Sequence, residues 1–281
     1  MHLASSLKRE FPNTNLDNPL KNKNIIFLFL EPSTRTKTSF NFACSILGAN
    51  VIDISPMHSS ITKGETFENT IKTISSYPAD ALVLRSDDNH HIDIAENILN
   101  FPVINAGSGT KSHPTQALTD LMTLKEQGLS IEKLKISIVG DIEHSRVARS
   151  LIEGLNFFGS KINICAPKYF KPTDLSNISY FEDLSEAIKD VDVLMTLRIQ
   201  KERIKKSKIN FNEYSEKYMI TEKIMNQFNI NYLMHPGPVN EGIEIDRGLQ
   251  DSSKSLILEQ VRNGTWIRCA VLMKILLDVK S

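Results

Sequence analysis

Four arginines stand where an anion could be gripped: Arg35, Arg85, Arg146 and Arg198. Each follows an apolar run that reads as a strand, at its end or in the turn just after it. A guanidinium is planar and meets phosphate or carboxylate with two parallel hydrogen bonds, so the set suits a small ligand carrying several anionic groups. Phosphate and carboxylate are both open as guests. Arg35 has the most telling surroundings, the stretch Glu31-Pro-Ser-Thr-Arg-Thr-Lys-Thr-Ser-Phe40 directly after Asn24-Ile-Ile-Phe-Leu-Phe-Leu30. That short, continuous apolar run predicts a strand buried on both faces, with a helix beginning at or just after Ser33. A strand that delivers Ser33, Thr34, Arg35 and Thr36 to a helix N-terminus brings backbone N–H groups, hydroxyls and a guanidinium to one point, which is how a phosphate is held. The same four residues also make an ordinary capped helix with an exposed arginine, so the wider chain has to decide.

Other polar residues collect at comparable places. His113 and Gln116 open a helix after a strand, Gln200 follows Arg198, and Pro236-Gly237-Pro238 follows the last strand. Ligands of a parallel sheet bind at the carboxyl ends of its strands. Singly, Arg85 or Arg198 could be a surface residue and His113 a helix cap; their shared position on separate strands joins them into one pocket. Lys63, in a polar loop before Gly64, reads by itself as an exposed loop lysine.

The elements that must position these residues alternate between strand and helix. After the first strand, a helix with Thr36, Phe40, Ala43 and Leu47 on one face ends at Gly48, placed for a left-handed cap. Strands are predicted at 50–54, 81–84, 102–105, 134–139, 161–165, 191–195 and 231–234, and helices at 65–77, 92–99, 113–125, 146–158, 184–189 and 256–279. This order implies an α/β fold of parallel sheets with helices on both faces. The pattern restarts after Gln127-Gly128-Leu-Ser130, a plausible domain boundary. Gly140-Asp-Ile-Glu-His-Ser145 opens a mononucleotide-type unit without G-x-G-x-x-G, so a nicotinamide cofactor is unsupported. The lysine-rich stretch 201–217 reads as a solvated flap. Residues 1–23 are polar and broken by Pro12 and Pro19, leaving room for at most a short helix.

Composition narrows the classes further. In 281 residues, 41% hydrophobic, 33 basic side chains balance 33 acidic ones, so nothing global attracts a nucleic acid or an anionic membrane. No apolar run approaches the roughly 20 residues of a membrane span, and the N-terminus carries no signal-peptide core. Cys44, Cys165 and Cys269 are odd in number and far apart. The economical reading is a cytoplasmic, reduced protein without a metal or cofactor.

Seven segments in order resemble the aspartate/ornithine carbamoyltransferase family over nearly the whole chain: EPSTRTKTSF, SSITKGET from Ser59, Leu84-Arg85, HPTQALTDL from His113, GDIEHSRVARS from Gly140, LRIQKER from Leu197 and HPGPVNEG from His235. The resemblance implies two domains, each a parallel sheet flanked by helices, with the active site in the cleft between them. Residues 1–127, with a C-terminal helix of about 265–281 packing back, would bind carbamoyl phosphate, and 128–264 would bind aspartate. The implied reaction transfers the carbamoyl group to the amine of L-aspartate, releasing phosphate, a step of pyrimidine biosynthesis. By the same resemblance Ser33, Thr34, Arg35, Thr36 and Arg85 take the phosphate, and His113 and Gln116 address the carbamoyl end. Gly237 and Pro238 offer backbone carbonyls, and Arg146, Arg198 and Gln200 hold aspartate's carboxylates. Arg35, Thr36, Lys63, Arg85 and His113 would be the catalytic set. Glu31 and Arg203 would form an orienting ion-pair network, and Ser59 and Lys63 would enter a neighbouring subunit's site in a homotrimer. Regulatory chains or a dihydroorotase partner are not readable from this chain.

Two departures and two rivals accompany that resemblance. The segment before Asn24 is short, and Gly237 is smaller than the residue many relatives carry. Ornithine as acceptor is disfavoured by Lys63, by Arg198, by HPGP in place of a cysteine-containing turn, and by the lack of an evident acid for ornithine's amine. A non-catalytic scaffold is disfavoured by the intact set of charged residues.

Overall fold

The computed structural model describes residues 1–11, 17–55, 64–173, 176–199 and 210–277. The chain forms two compact units, Met1–Thr119 with Val261–Ser281, and Asp120–Gln260. The first carries α1 (His2–Glu10), β1 (Asn24–Phe29), α2 (Thr34–Leu47), β2 (Asn50–Ile54), α3 (Phe67–Ser75), β3 (Ala81–Ser86), α4 (His91–Ile98) and β4 (Val103–Ser108), and α5 (Pro114–Glu126) begins in it. Its strands lie in the order β2-β1-β3-β4, every neighbour parallel.

The period of two along β1 explains why a wholly apolar strand is stable there. Ile25, Phe27 and Phe29 share one core with Phe40, Ala43 and Leu47 of α2. Ile26 and Leu28 point the other way, into a core with Ile71 and Ile74 of α3 and Ile92 and Ala95 of α4. Both faces are covered, as a parallel sheet requires. Gly48 ends α2 at φ +76, and a Cβ there would fall 2.5 Å from Asn18 Cβ, so both conformation and space call for glycine.

The second unit holds β5 (Lys135–Val139), α6 (Arg146–Phe158), β6 (Lys161–Cys165), β7 (Ser179–Phe181), α7 (Leu184–Ala187), β8 (Val193–Thr196), α8 (Phe211–Tyr218), α9 (Glu222–Gln227) and β9 (Tyr232–Met234). Its parallel order is β7-β6-β5-β8-β9, and α10 (Ile257–Leu276) closes the described chain. The two-domain α/β architecture expected from strand and helix alternation is the one observed. Each unit has one point where the strand order reverses, between β1 and β3 in the first and between β5 and β8 in the second, and such points are where open parallel sheets bind ligands. Glu31–Thr36 follow β1 and Arg85 is the penultimate residue of β3 at the first reversal; Arg146 and Arg198 follow the strands at the second.

Three elements differ from the sequence reading, β7, α8 and the six-residue α9, whose N-cap Thr221 accepts from the Ile224 N–H. β7 is a three-residue edge strand, too short for its alternation to show. Part of the expected solvated flap is α8: Asn210 accepts from the N–H groups of Asn212 and Glu213, and Tyr214 and Tyr218, one turn apart, pack 5.1 Å between centroids. Buried aromatic spacing outweighs the lysines. No helix among the described residues is long and apolar enough to cross a membrane.

Candidate active site

In the first unit the strand ends bring one cluster together. Parallel register sets Phe29 of β1 beside Arg85 of β3, and the Leu30 N–H donates to the Arg85 carbonyl at 2.9 Å, so Glu31 and Arg85 leave the sheet level with each other. Arg85 Nε stands 2.7 Å from Glu31 Oε1. Its Nη1 donates to Thr36 Oγ1 at 3.4 Å and to the Ala106 carbonyl at 3.3 Å. Thr36, in the first turn of α2, is 5% exposed, and its Oγ1 is 3.5 Å from His113 Nε2. His113 is 4% exposed and stands immediately before Pro114 of α5, with Gln116 donating its backbone N–H to the His113 carbonyl.

Ser33 is the N-cap of α2, yet its hydroxyl makes no capping hydrogen bond. Thr34 and Arg35 are exposed. Partial desolvation holds the Arg35 guanidinium below its usual pKa, without removing the charge of an arginine. The cluster therefore combines a helix N-terminus, a hydroxyl, two guanidiniums and an imidazole, all able to donate toward a tetrahedral anion or a developing oxyanion. The ion pair between Glu31 and Arg85 joins residues far apart in sequence and was not anticipated; it fixes the direction of the guanidinium.

In the second unit the loop after β5 is turned by Asp141, fully buried, which accepts from the His144 N–H at 3.1 Å and faces His144 Nδ1 at 2.9 Å. Ser145 then caps α6 by accepting from Ala148, which delivers Arg146, 8% exposed, at the first helical position. Arg198 lies two residues past β8. The turn after β9 carries Gly237 at φ +65, a left-handed conformation suited to glycine, followed by Pro238. The Gly237 N–H donates to His235 Nδ1 at 2.8 Å. Glu244, 1% exposed, accepts from the Ile199 N–H at 2.8 Å and from the Asn240 N–H and Nδ2 at 2.6 Å each. Burial pushes the Glu244 carboxyl above its ordinary pKa, against the pull of these donors and of Arg198.

Sequence reasoning passed over Asp141, His144, Asn240 and Glu244, although GDIEHS and HPGPVNEG both drew attention. The available signal was an acid or amide just past a strand end, in a segment already singled out. Ser59, Lys63, Gln200 and Arg203 lie outside the described residues. Among the described residues no group of three or more His, Cys, Asp or Glu side chains could hold a metal ion. Cys44, Cys165 and Cys269 are buried, their thiols pushed up to about 12, which makes them poor nucleophiles.

Comparison with known proteins places nearly the whole chain in one family. Residues 1–126 match the family model of the aspartate/ornithine carbamoyltransferase carbamoyl-P binding domain, and residues 132–275 match that of the Asp/Orn binding domain. The aspartate carbamoyltransferase catalytic subunit of Halothermothrix orenii is 44% identical over 275 residues, 96% of this chain and 88% of that protein. That of Pelagibacter ubique is 42% identical over 260 residues, 91% and 83% of the two chains. Among solved structures, aspartate transcarbamoylase from Trypanosoma cruzi with carbamoyl aspartate and phosphate superposes with a TM-score of 0.86 at 30% identity, covering 98% of this chain and 90% of that one. The chain belongs to the aspartate/ornithine carbamoyltransferase family.

Proposed function

We propose that the protein transfers the carbamoyl group of carbamoyl phosphate to the amino group of L-aspartate, giving N-carbamoyl-L-aspartate and phosphate, within pyrimidine biosynthesis. The observation that carries the reading is the donor cluster at the β1/β3 reversal, where Arg85 reaches Thr36 and Thr36 reaches His113. Ser33, Thr34, Arg35 and Thr36 hold the phosphate, with Arg85 beside them. Thr36, Arg85 and His113 donate to the carbamoyl oxygen as negative charge builds on it. His113 serves with a proton on Nε2 and need not accept one. Gln116 and the carbonyls of Gly237 and Pro238 address the carbamoyl amide, and Arg146, Arg198 and Gln200 hold the two carboxylates of aspartate.

The neutral amine attacks the carbamoyl carbon, the bond from that carbon to the phosphate oxygen breaks, and the departing phosphate accepts the amine proton. No side chain is assigned as general base. Aspartate is favoured over ornithine as acceptor because Arg198 supplies a guanidinium for a second carboxylate and the buried acid beside it, Glu244, already accepts from Ile199 and Asn240. Phosphate release from carbamoyl phosphate, measured against aspartate, ornithine and N-acetylornithine, tests this. Release that depends on aspartate supports the reading, and release with ornithine alone sinks it.

The assembly we propose is a cytoplasmic homotrimer in which Ser59 and Lys63 complete a neighbour's site. Its support is the resemblance of Ser59–Thr66 to a loop shared between subunits, and the three buried free cysteines suit a reducing compartment. Mixing Lys63→Ala with Arg35→Ala subunits, each inactive alone, is expected to restore part of the activity. A verified hybrid trimer without recovery removes the shared site.

A further inference from the structure

Arg198 is held between two main-chain tethers. On one side the Leu197 N–H donates to the Val139 carbonyl at 2.9 Å, continuing the β8 ladder one residue past the strand. On the other the Ile199 N–H donates to Glu244 Oε1 at 2.8 Å. The first tether is backbone and ordinary. The second is a carboxylate taken almost entirely out of water, an arrangement that costs free energy unless every oxygen is met by a donor.

The donors are present and they come from two loops. Glu244 Oε1 accepts from Ile199 and from Asn240 Nδ2, and Oε2 accepts from the Asn240 N–H. Asn240 Nδ2 also donates to the Ile199 carbonyl at 3.3 Å. His235 Nε2 stands 3.8 Å from Oε2, and His235 Nδ1 accepts from Gly237, so a neutral imidazole carries its hydrogen on the nitrogen facing Glu244. One carboxylate thus joins the peptide next to Arg198 to the turn His235–Pro238, and its charge acts on Arg198.

We infer that Glu244 is a positioning residue for acceptor binding, which fixes Arg198 in the arrangement that receives a dicarboxylate, while the Gly237–Pro238 turn keeps its own hydrogen bond from the Gly237 N–H to His235 Nδ1. The inference rests on the function proposed above and adds a residue that touches no substrate. A neutral isostere cannot replace it. Glutamine has one acceptor oxygen, so its amide would face either the Ile199 and Asn240 Nδ2 donors or the Asn240 N–H, donor against donor.

The test compares steady-state kinetics and succinate binding of Glu244→Gln, Asn240→Ala and the wild type, with Leu233→Ala, a buried core residue of β9, as the variant that is only destabilised. For Glu244→Gln the aspartate KM is expected to rise about tenfold to a hundredfold while the carbamoyl phosphate KM stays within about twofold. Leu233→Ala should lower the melting temperature and leave both KM values near wild type. An aspartate KM for Glu244→Gln within about twofold of wild type overturns the inference, as does an equal rise in both KM values. Should Glu244→Gln fail to fold, Asn240→Ala keeps the carboxylate and removes both hydrogen bonds of the Asn240 side chain, one to Glu244 Oε1 and one to the Ile199 carbonyl. A rise of about threefold to tenfold in aspartate KM is then expected, and no change overturns the claim. Wild-type protein that binds succinate but releases no phosphate with aspartate defeats the proposed function alone; an active wild type with an unaffected Glu244→Gln defeats this inference alone.

Discussion

The two units hold their arginines in different ways. In the first, Arg85 is gripped through its own guanidinium, by Glu31 at 2.7 Å, the Ala106 carbonyl at 3.3 Å and Thr36 at 3.4 Å, beside the N-terminus of α2. In the second, Arg198 is fixed through the peptides on either side of it, by Val139 and by Glu244. A guanidinium already oriented by fixed partners suits a leaving group whose charge must be met at one place throughout the reaction. The main-chain anchors on either side of Arg198 set the point from which its side chain would meet an arriving carboxylate. The lesson is that one residue type, at the same kind of sheet position, can be preorganised at its head or at its root.

This division can be broken by mutation, and the largest effect is expected in the cradle. Arg85→Ala removes the donor proposed to meet the developing charge and leaves Glu31 without its Arg85 ion pair, so kcat/KM should fall by about a thousandfold, mostly in kcat. Arg198→Ala should raise the aspartate KM about a hundredfold and leave carbamoyl phosphate affinity, read by calorimetry, near wild type. Equal loss of carbamoyl phosphate binding in Arg198→Ala would dissolve the distinction between the units.

The smallest effect concerns only the scaffold of the cradle. Asp80 ties the start of β1 by accepting from Lys23 Nζ and the Asn24 N–H, each at 2.8 Å. Desolvation raises its pKa, but the hydrogen bonds from Lys23 and Asn24 and the charge of Lys23 outweigh that and the net shift is downward. A carboxyl with a lowered folded pKa contributes stability above its unfolded pKa and loses it as pH falls through the folded value. Asp80→Asn should therefore cost at most about 1 kcal/mol at neutral pH, by chemical denaturation. The gap should shrink below about pH 4. A gap that widens on acidification would reverse the sign of the coupling.

How much of this was legible in the sequence follows from distance along the chain. The strand and the helix start at Ser33–Thr36 were legible because they are contiguous, and Thr36, Phe40, Ala43 and Leu47 share a buried face as their spacing predicts. Arg85, His113, Arg146 and Arg198 could be placed because each directly follows a readable strand or opens a helix. What joins them could not. The Glu31–Arg85 pair depends on β1 and β3 being neighbours, and the Glu244 network depends on a return from the far side of β9. Such links are set by sheet order, which hydropathy does not encode. α8 was hidden for another reason: lysines dominate its surroundings, while the buried pair Tyr214 and Tyr218 decides its fold.

The most direct measurement follows the carbamoyl carbon itself. Wild-type protein is incubated with carbon-labelled carbamoyl phosphate, aspartate and ornithine together, and the labelled products are resolved by NMR. The label should appear in N-carbamoyl-L-aspartate, matched mole for mole by free phosphate. Label found on ornithine, or only as bicarbonate and cyanate from breakdown of the donor, would contradict the carbamoyl transfer to aspartate proposed for this protein.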